Sequence, residues 1–339
     1  MFVPAGQSLE SAGLGAPVAP NMPFHSTGGS PMLSDGGRAS DAQSVRSAHS
    51  LSSTTNTAIS HPQLHQPGLN ASLVETVNAT FQQGLITKAV VIGEMALQYN
   101  PPENVASPSS ESVRLENFAV LEKVAPNPAF IEQKPSSSGE YTVNLSHTMR
   151  PAVAFKYQIH LDESSLGSHA PISLTPSWKI EPTQASVILS YAPNRGAFTS
   201  PQRTTTLKNV IIYINVDGTK ASNCQSKPAG IFSKEKSLIY WKLNDVTLDG
   251  NSETPQKLLA RFSTEGEAKP GVVEARWEVN GEEAAILGSG LAISQLSGNK
   301  DGSGAGDPFA DENTTGTTTG AWKAVPVTRK MLSGKYVAS

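Results

Sequence analysis

Two neighbouring runs with a two-residue alternation, residues 72–81 and 85–99, place the strongest constraint on how this chain folds. In the first run, five alternate residues lie on one face of an extended strand: Leu73, Glu75, Val77, Ala79 and Phe81. This alternation is typical of a strand with one buried face. The second run is rich in β-branched residues, and Gln83-Gly84 between the runs has the chemistry of a tight turn. The two runs therefore predict a β-hairpin at the start of the folded region.

Length, charge and cysteine content narrow the functional class. The chain has 339 residues, a net charge of -3 and a pI near 6.2. Because nucleic-acid-binding proteins carry a basic stripe, we expect no nucleic-acid partner. No apolar run approaches the ~20 residues that span a bilayer, and the N-terminus lacks the features of a secretion signal. With a single cysteine, Cys224, these features favour the cytoplasm.

Composition divides the chain in two. Residues 1–67 are rich in Ser, Gly, Pro, Ala and Gln and include two aromatic residues. Such a segment buries too little apolar surface to offset an ordering entropy of ~1–2 kcal/mol per residue. We predict a disordered linker over residues 1–67 and a folded domain over residues 68–339.

Short β-patterned runs alternate with Pro, Gly, Ser and Asn throughout residues 68–339, without a long helical period. This spacing predicts an all-β antiparallel sandwich, and the segment is too long for one immunoglobulin-like module. We expect two joined β-subdomains, or one elongated sandwich with another inserted. Residues 296–320 are polar and low in complexity, which predicts an exposed loop before a last strand.

The sequence contains no constellation that indicates catalysis. Dinucleotide, Walker, G-x-S-x-G and H-E-x-x-H motifs are absent. Asp162-Glu163 and Glu282-Glu283 are adjacent carboxylates, and neighbours on a strand point to opposite faces, so they are poor acid/base partners. We interpret each pair as a solvated turn. Cys224 is interpreted as a turn residue with no activating partner. We expect a protein that is not an enzyme and that holds no metal or cofactor.

Seven runs, taken in order, resemble the C-terminal mu-homology domain of fungal muniscins, the endocytic adaptors of the Syp/FCHo type. The runs are LNASLVETVNATFQQGLITKAVVIGEMALQY, VRLENFAVLEKVAPNPAFI, AFKYQIHLD, LTPSWKIEPTQASVILSYAPN, SLIYWKLNDVTLDG, KLLARFSTE and TRKMLSGKYVAS. Together they extend over residues 68–339, and no single run is diagnostic. The resemblance implies an elongated domain of two β-sandwich subdomains. It also implies a cytoplasmic adaptor at clathrin-coated sites of the plasma membrane, which binds scaffold proteins of the Eps15/Ede type and some transmembrane cargo.

Two departures from the family limit these implications. Muniscins carry an N-terminal F-BAR domain that this sequence lacks, and their basic linker is reduced here to Arg38 and Arg46. Because polybasic attraction needs several charges of about 1 kcal/mol each, we expect membrane association to be indirect.

The second departure concerns tyrosine-based sorting signals. Clathrin-adaptor mu subunits bind these signals with an aromatic residue and an Arg on the strand before S-G-x-Y. Here Pro326 and Thr328 stand near those positions, ahead of S-G-K-Y at residues 333–336, and Trp322 lies a few residues too early. We expect this domain not to read tyrosine signals in that way.

One short motif lies in the polar loop, where Asp307, Pro308 and Phe309 precede Asp311 and Glu312. An apolar anchor held by a Pro turn and flanked by carboxylates resembles the ligands of clathrin-adaptor appendage domains. A chance match is the alternative, and any binding would be weak and dependent on multivalency.

Basic residues are the candidates for contacts with acidic scaffold peptides, which dock on strand edges or in the cleft between subdomains. The candidates are Arg195, Arg203, Lys208, Lys234 and Lys236. A solvated rim is the alternative interpretation. Two other functions stay open: a structural mu-type coat subunit, and a carbohydrate-binding β-sandwich, for which the sequence supplies no carboxylate pair at useful spacing.

Overall fold

The structure is a computed structural model that describes residues 60–103, 108–135, 137–198, 203–252, 254–297 and 321–339. Within these ranges the chain is built almost entirely of β-strands. They are β1 (Gly68–Gln82), β2 (Leu85–Asn100), β3 (Ser110–Glu116), β4 (Leu121–Pro126), β5 (Ile131–Gln133), β6 (Glu140–Asn144), β7 (Ala152–Ile159), β8 (Ile172–Glu181), β9 (Gln184–Pro193), β10 (Thr204–Asp217), β11 (Ala221–Lys227), β12 (Ile231–Ser233), β13 (Leu238–Asp249), β14 (Gln256–Thr264), β15 (Lys269–Asn280), β16 (Ala292–Ser297), β17 (Ala321–Ala324) and β18 (Val327–Ala338).

Helical structure is scarce in the described part of the chain. One α-helix, α1 (Gly281–Leu287), follows β15, and single 3₁₀ turns lie at Phe118–Val120, Leu145–His147 and Arg195–Ala197. None of the described helices is long and apolar enough to cross a bilayer. Glu282 and Glu283 lie in the first turn of α1, so the prediction of a simple turn there is wrong. Carboxylates at this position are favoured because they face the positive end of the helix dipole.

The strands form three sheets. The nine-stranded sheet has the order β12-β13-β10-β15-β18-β1-β2-β7-β4, the four-stranded sheet β11-β14-β9-β8, and the five-stranded sheet β17-β16-β3-β6-β5. Every pairing between these strands is antiparallel except the parallel pair β1–β18. The all-β, antiparallel prediction is therefore confirmed.

The chain order explains how two sandwiches share one sheet. Strands β8 to β15 supply the whole four-stranded sheet and one end of the nine-stranded sheet. The five-stranded sheet contains β3, β5 and β6, and the chain returns to it through β16 and β17 after β15. One β-unit is thus inserted into another, which agrees with the predicted inserted sandwich.

The hairpin β1–β2 belongs to the nine-stranded sheet and is paired from Gly68 with Asn100 to Gln82 with Leu85, with one register shift between Thr80 and Phe81. Its turn residues Gln83 and Gly84 have φ angles of 52° and 80°. Positive φ at both positions is the signature of a tight hairpin turn, which glycine adopts without strain. The predicted hairpin is therefore confirmed.

The prediction that β1 has a single buried face is wrong for its first half. Residues on both sides of the strand are buried, such as Leu73 at 1% and Val74 at 2% exposure. β1 lies in the middle of the nine-stranded sheet, and on one side Glu75 accepts hydrogen bonds from the Tyr157 hydroxyl at 2.8 Å and the Ser289 amide at 3.0 Å. These bonds satisfy a carboxylate that would be costly to bury alone.

Residues 60–67 lie against the sheet before β1 begins. The Leu64 amide donates to Gln98 Oε1 at 2.8 Å, and the Leu64 carbonyl accepts from Asn100 Nδ2 at 2.7 Å. His61 Nδ1 lies 3.0 Å from Ser72 Oγ. Side-chain amides therefore hold a segment that has little apolar surface of its own, ahead of the predicted boundary at residue 68. Residues 1–59 lie outside the described residues.

Candidate protein-binding surfaces

The five basic residues singled out from the sequence do not form one cluster. Arg203 immediately precedes β10 and Lys208 lies near its start, whereas Lys234 and Lys236 lie in the turn between β12 and β13. That turn is at the far end of the β10–β13 ladder, because Asn215 pairs with Leu238 there. At ~3.3 Å per residue, the two ends are about 30 Å apart.

The remaining candidates have separate surroundings. Arg195 is exposed in the 3₁₀ turn after β9. Lys208 pairs in register with Glu278 of β15. Burial acts to raise the pKa of Glu278, but hydrogen bonds from Lys330 and Asn209 outweigh it and lower this pKa. The predicted adaptor-binding motif at Asp307, Pro308 and Phe309 lies outside the described residues.

A different group of basic side chains is brought together on the four-stranded sheet. We call its outer side the basic face. Its cations alternate with inward-pointing core residues on three strands: Lys179 of β8, Lys227 of β11, and Lys257 and Arg261 of β14. All four are exposed.

Two aliphatic side chains lie at the centre of the basic face. Ile188 of β9 and Leu259 of β14 are paired in register and are 43% and 39% exposed. Lys227 is paired with Leu259 on one side, and Ser177 with Ile188 on the other. Neighbouring strands are ~4.8 Å apart, so this transverse row of four side chains is about 14 Å wide.

Most cations of the basic face form no salt bridge with a carboxylate. Lys179 Nζ lies 2.8 Å from Glu181 Oε1, and its hydrogen bond and charge lower the pKa of that carboxyl. The charge of Arg261 lowers this pKa further. Within the described ranges, Lys227, Lys257 and Arg261 form no salt bridge. Four cations and one carboxylate leave the face with a formal charge of about three positive units at neutral pH.

The inner side of the same sheet packs into the core, which holds the strands of the basic face in place. Leu258, Ala260 and Phe262 alternate with the exposed residues of β14 and are at most 4% exposed. The Phe262 ring lies 6.3 Å from that of Phe232 in the nine-stranded sheet.

Cys224 lies in β11 rather than in a turn. Burial raises its pKa to about 12, so its thiol is protonated at neutral pH.

A row of aromatic side chains lies on the nine-stranded sheet. Tyr213 of β10 and Tyr240 of β13 are paired in register with ring centroids 5.7 Å apart. The aliphatic side chain of Ile231, which is 51% exposed, lies next to Tyr240 in the register. At the other end, the Arg276 guanidinium lies 5.3 Å from the Tyr213 ring centroid. Arg276 is also bound to Glu274 at 3.1 Å, so its charge is already engaged.

The S-G-K-Y sequence at residues 333–336 places its tyrosine in the core. Tyr336 is fully buried, its ring packs against Phe81 and Trp277, and its hydroxyl donates to the Ile172 carbonyl. Trp322 lies on the short strand β17, where the Arg114 guanidinium stacks on its ring at 4.6 Å. Trp322 is therefore a packing residue in this structure. No group of His, Cys, Asp and Glu in the described residues is arranged to hold a metal ion.

Sequence reasoning missed the basic face, although part of its signal is visible. Lys257, Leu259 and Arg261 alternate within the run KLLARFSTE, so in an extended strand they share a side. Their proximity to Ile188 depends on the register between β9 and β14, which the sequence does not display.

These features define a class: an all-β protein with one sandwich inserted into another and with exposed sheet faces suited to docking. Its fold is that of mu homology domains. The Fcho1 mu homology domain of Danio rerio, solved with a bound Eps15 peptide, superposes with a TM-score of 0.56 at 18% identity, over 80% of this chain and 97% of that chain. The yeast delta-COP-I mu-homology domain gives a TM-score of 0.50 at 13% identity, over 80% and 98%.

Sequence comparison identifies the family. Residues 67–339 match the model of the muniscin C-terminal mu homology domain, and the chain belongs to this family. The "suppressor of yeast profilin deletion" of Saccharomyces cerevisiae is 33% identical over 285 residues, which are 80% of this chain and 30% of that protein. The "cytoskeletal protein syp1" of Schizosaccharomyces pombe is 26% identical over 211 residues, 61% of this chain and 25% of that protein. The chain therefore spans less than a third of the length of these relatives.

Proposed function

We propose that this chain is a non-enzymatic adaptor of clathrin-mediated endocytosis that binds short segments of scaffold proteins of the Eps15/Ede type. The observation that carries the proposal is the match of residues 67–339 to the muniscin mu homology domain. The Danio rerio domain with the same fold was solved with an Eps15 peptide, which supports peptide binding as the activity. The proposed place of action is the cytoplasmic side of coated sites at the plasma membrane.

The absence of enzymatic activity is part of the proposal. The Cys224 thiol is protonated because of its burial, which makes it a poor nucleophile. The buried carboxylate of Glu75 accepts bonds from Tyr157 and Ser289, so it is committed to the core rather than to a substrate. These side chains have structural partners that support a binding rather than a catalytic role.

Two further partners, transmembrane cargo and clathrin-adaptor appendage domains, are part of the proposal. Transmembrane cargo is a proposed partner, by a route other than the tyrosine-signal mechanism, since Tyr336 is buried and Trp322 is stacked on Arg114. Asp307, Pro308 and Phe309 are a proposed ligand of clathrin-adaptor appendage domains, to be tested by the loss of appendage binding in Phe309→Ala.

Membrane association would be indirect. A structural role in a coat complex is the alternative, and the muniscin family match favours the adaptor.

A direct binding measurement tests the main proposal. The whole chain is titrated by isothermal calorimetry with a purified acidic fragment of an Eps15/Ede-type scaffold. We expect saturable binding with a Kd of about 1–100 µM, the weak range suited to multivalent assembly. A fragment of the same composition in scrambled order is the control. Equal heats for both fragments would contradict the proposal.

A further inference from the structure

We propose that the basic face of the four-stranded sheet is the docking surface for an acidic peptide with one large apolar side chain. The proposal rests on the scaffold-binding function above and deepens it by naming the surface and the chemistry of its ligand. The apolar side chain would pack on Ile188 and Leu259, and the acidic residues would contact the surrounding cations.

The centre of the face has the properties of an anchor site. Single exposed apolar residues are ordinary on protein surfaces. Ile188 and Leu259, however, are directly paired on neighbouring strands, so their side chains form one continuous apolar patch. The core residues beneath them, Val187 and Leu258, are buried at 1% and 2% exposure and point the other way. The apolar pair is therefore not needed to complete the core.

The cations are placed around this patch rather than along one edge. Lys227 is paired directly with Leu259, while Lys257 and Arg261 lie two residues from Leu259 along β14 in opposite directions. Side chains two apart on a strand share a face and are ~7 Å apart. An extended peptide with its anchor at the centre would therefore place residues on each side within reach of a cation.

Charge complementarity selects an acidic ligand. The whole chain has a formal charge of -3, yet this face carries an excess of cations that form no salt bridges in the described part of the chain, apart from Lys179. A second copy of the chain bound through the same face would bring like charges together, which is unfavourable. The side of the nine-stranded sheet with Tyr213 and Tyr240 has a smaller excess, because Arg276 there is bound to Glu274.

The polar groups between the charges favour a peptide over a lipid surface. Ser186 and Ser190 of β9 and Gln225 of β11 point to the same side as Ile188 and Leu259. Hydroxyl and amide groups can bond to the backbone of an extended chain, which supplies both donors and acceptors. About eight extended residues would cover the face.

The experiment measures binding of a fluorescein-labelled peptide to the full chain by anisotropy. The probe has about eight residues, Asp and Glu around one central Phe. The test variant is Lys257→Glu with Arg261→Glu. The matched control is Lys123→Glu with Lys335→Glu, which makes the same charge change at exposed residues of the nine-stranded sheet, outside the basic face. A second test variant, Ile188→Ser with Leu259→Ser, leaves the charge unchanged. Thermal unfolding verifies that each variant is folded.

We expect the charge-reversal variant to bind at least about tenfold more weakly and the control to remain within about twofold of the parent. The Ser variant and a probe with Ala in place of Phe would also bind several-fold more weakly. Equal losses in the test and control variants, or no binding of the probe to the parent chain, would overturn the inference. If the charge-reversal variant loses binding to anionic phospholipid vesicles but still binds the probe, the basic face is a membrane-contact surface instead.

The same variants separate this inference from the proposed function. If the scaffold fragment binds the parent and the charge-reversal variant equally, the basic face is not the docking surface, and the adaptor function stands. If the probe binds at the face but the scaffold fragment does not bind at all, the surface stands and the proposed partner is wrong.

Discussion

The outer faces of the four-stranded and five-stranded sheets are both built from antiparallel strands, but they differ in whether their charged side chains are paired. On the five-stranded sheet, Arg114 lies 2.8 Å from Glu116 and stacks on Trp322. Ser294 donates to Glu116 from the neighbouring strand. On the four-stranded sheet, Lys227, Lys257 and Arg261 surround an exposed aliphatic pair and form no salt bridge within the described residues.

This difference separates charges that support the fold from charges available to a ligand. A charge with a stacked ring and a carboxylate loses contacts within the protein when it binds elsewhere. A solvated lysine or arginine loses little more than its hydration and rotamer freedom. Two antiparallel sheet faces can therefore differ in function. Substitutions on a face that supports the fold should change stability, whereas substitutions on a binding face should change binding.

The largest expected effect lies beneath both faces, where the two sheets should behave alike. Phe262 under the basic face and Tyr141 in β6 of the five-stranded sheet are 0% and 1% exposed. Tyr141 packs against Phe155 with ring centroids 4.9 Å apart. We expect Phe262→Ala and Tyr141→Ala each to lower the free energy of unfolding by about 3–5 kcal/mol, because each leaves a cavity.

Urea denaturation of the full chain measures both values. Phe262→Leu is the control, since it keeps most of the buried volume and should cost clearly less than Phe262→Ala. A loss below about 1 kcal/mol for either alanine variant would show that the sheet is not packed as described.

An intermediate effect distinguishes the outer faces themselves. We expect Trp322→Ala to lower the free energy of unfolding by about 1 kcal/mol, because it removes both buried ring area and the stacking on Arg114. Leu259→Ser on the basic face should change it by less than about 0.5 kcal/mol, since this residue packs little of its surface. Equal losses at the two positions, measured by urea denaturation, would remove the distinction between the faces.

The fold was predictable where strands are long and alternate regularly. The β1–β2 hairpin follows from its alternating pattern and from the turn residues Gln83-Gly84. Strands β5, β12 and β17 have only three or four residues, too few for a period to be visible. Helix α1 was missed for the same reason, because its seven residues form only two turns.

The binding surfaces were less predictable because they depend on register between distant strands. Arg203 and Lys234 are near in sequence to other candidates but lie at opposite ends of the β10–β13 ladder. Ile188 and Leu259, which were not singled out, are direct neighbours. Charge and hydropathy along the chain identify exposed residues, whereas strand pairing determines which of them meet.

The smallest expected effect is a difference in how salt acts on two carboxylates. The pKa of Glu116 is lowered mainly by the hydrogen bond from the neutral Ser294 hydroxyl, with a further contribution from Arg114. The pKa of Glu181 on the basic face is lowered mainly by the charged Lys179. Salt screens exposed charges and has less influence on a hydrogen bond from a hydroxyl. Raising NaCl from about 0.05 to 0.5 M should therefore raise the pKa of Glu181 more than that of Glu116.

Carboxyl-detected NMR titrations of the full chain measure both pKa values at each salt concentration. The control is Ser294→Ala, which should raise the pKa of Glu116 toward its ordinary value near 4.5 and leave Glu181 unchanged. Because folding lowers the pKa of Glu116, its contribution to stability is present above that ordinary value and is lost as the pH falls through the lowered one. If salt instead raised both pKa values equally, Glu116 would depend on Arg114 in the way that Glu181 depends on Lys179. The five-stranded sheet would then hold its charges no more firmly than the basic face does.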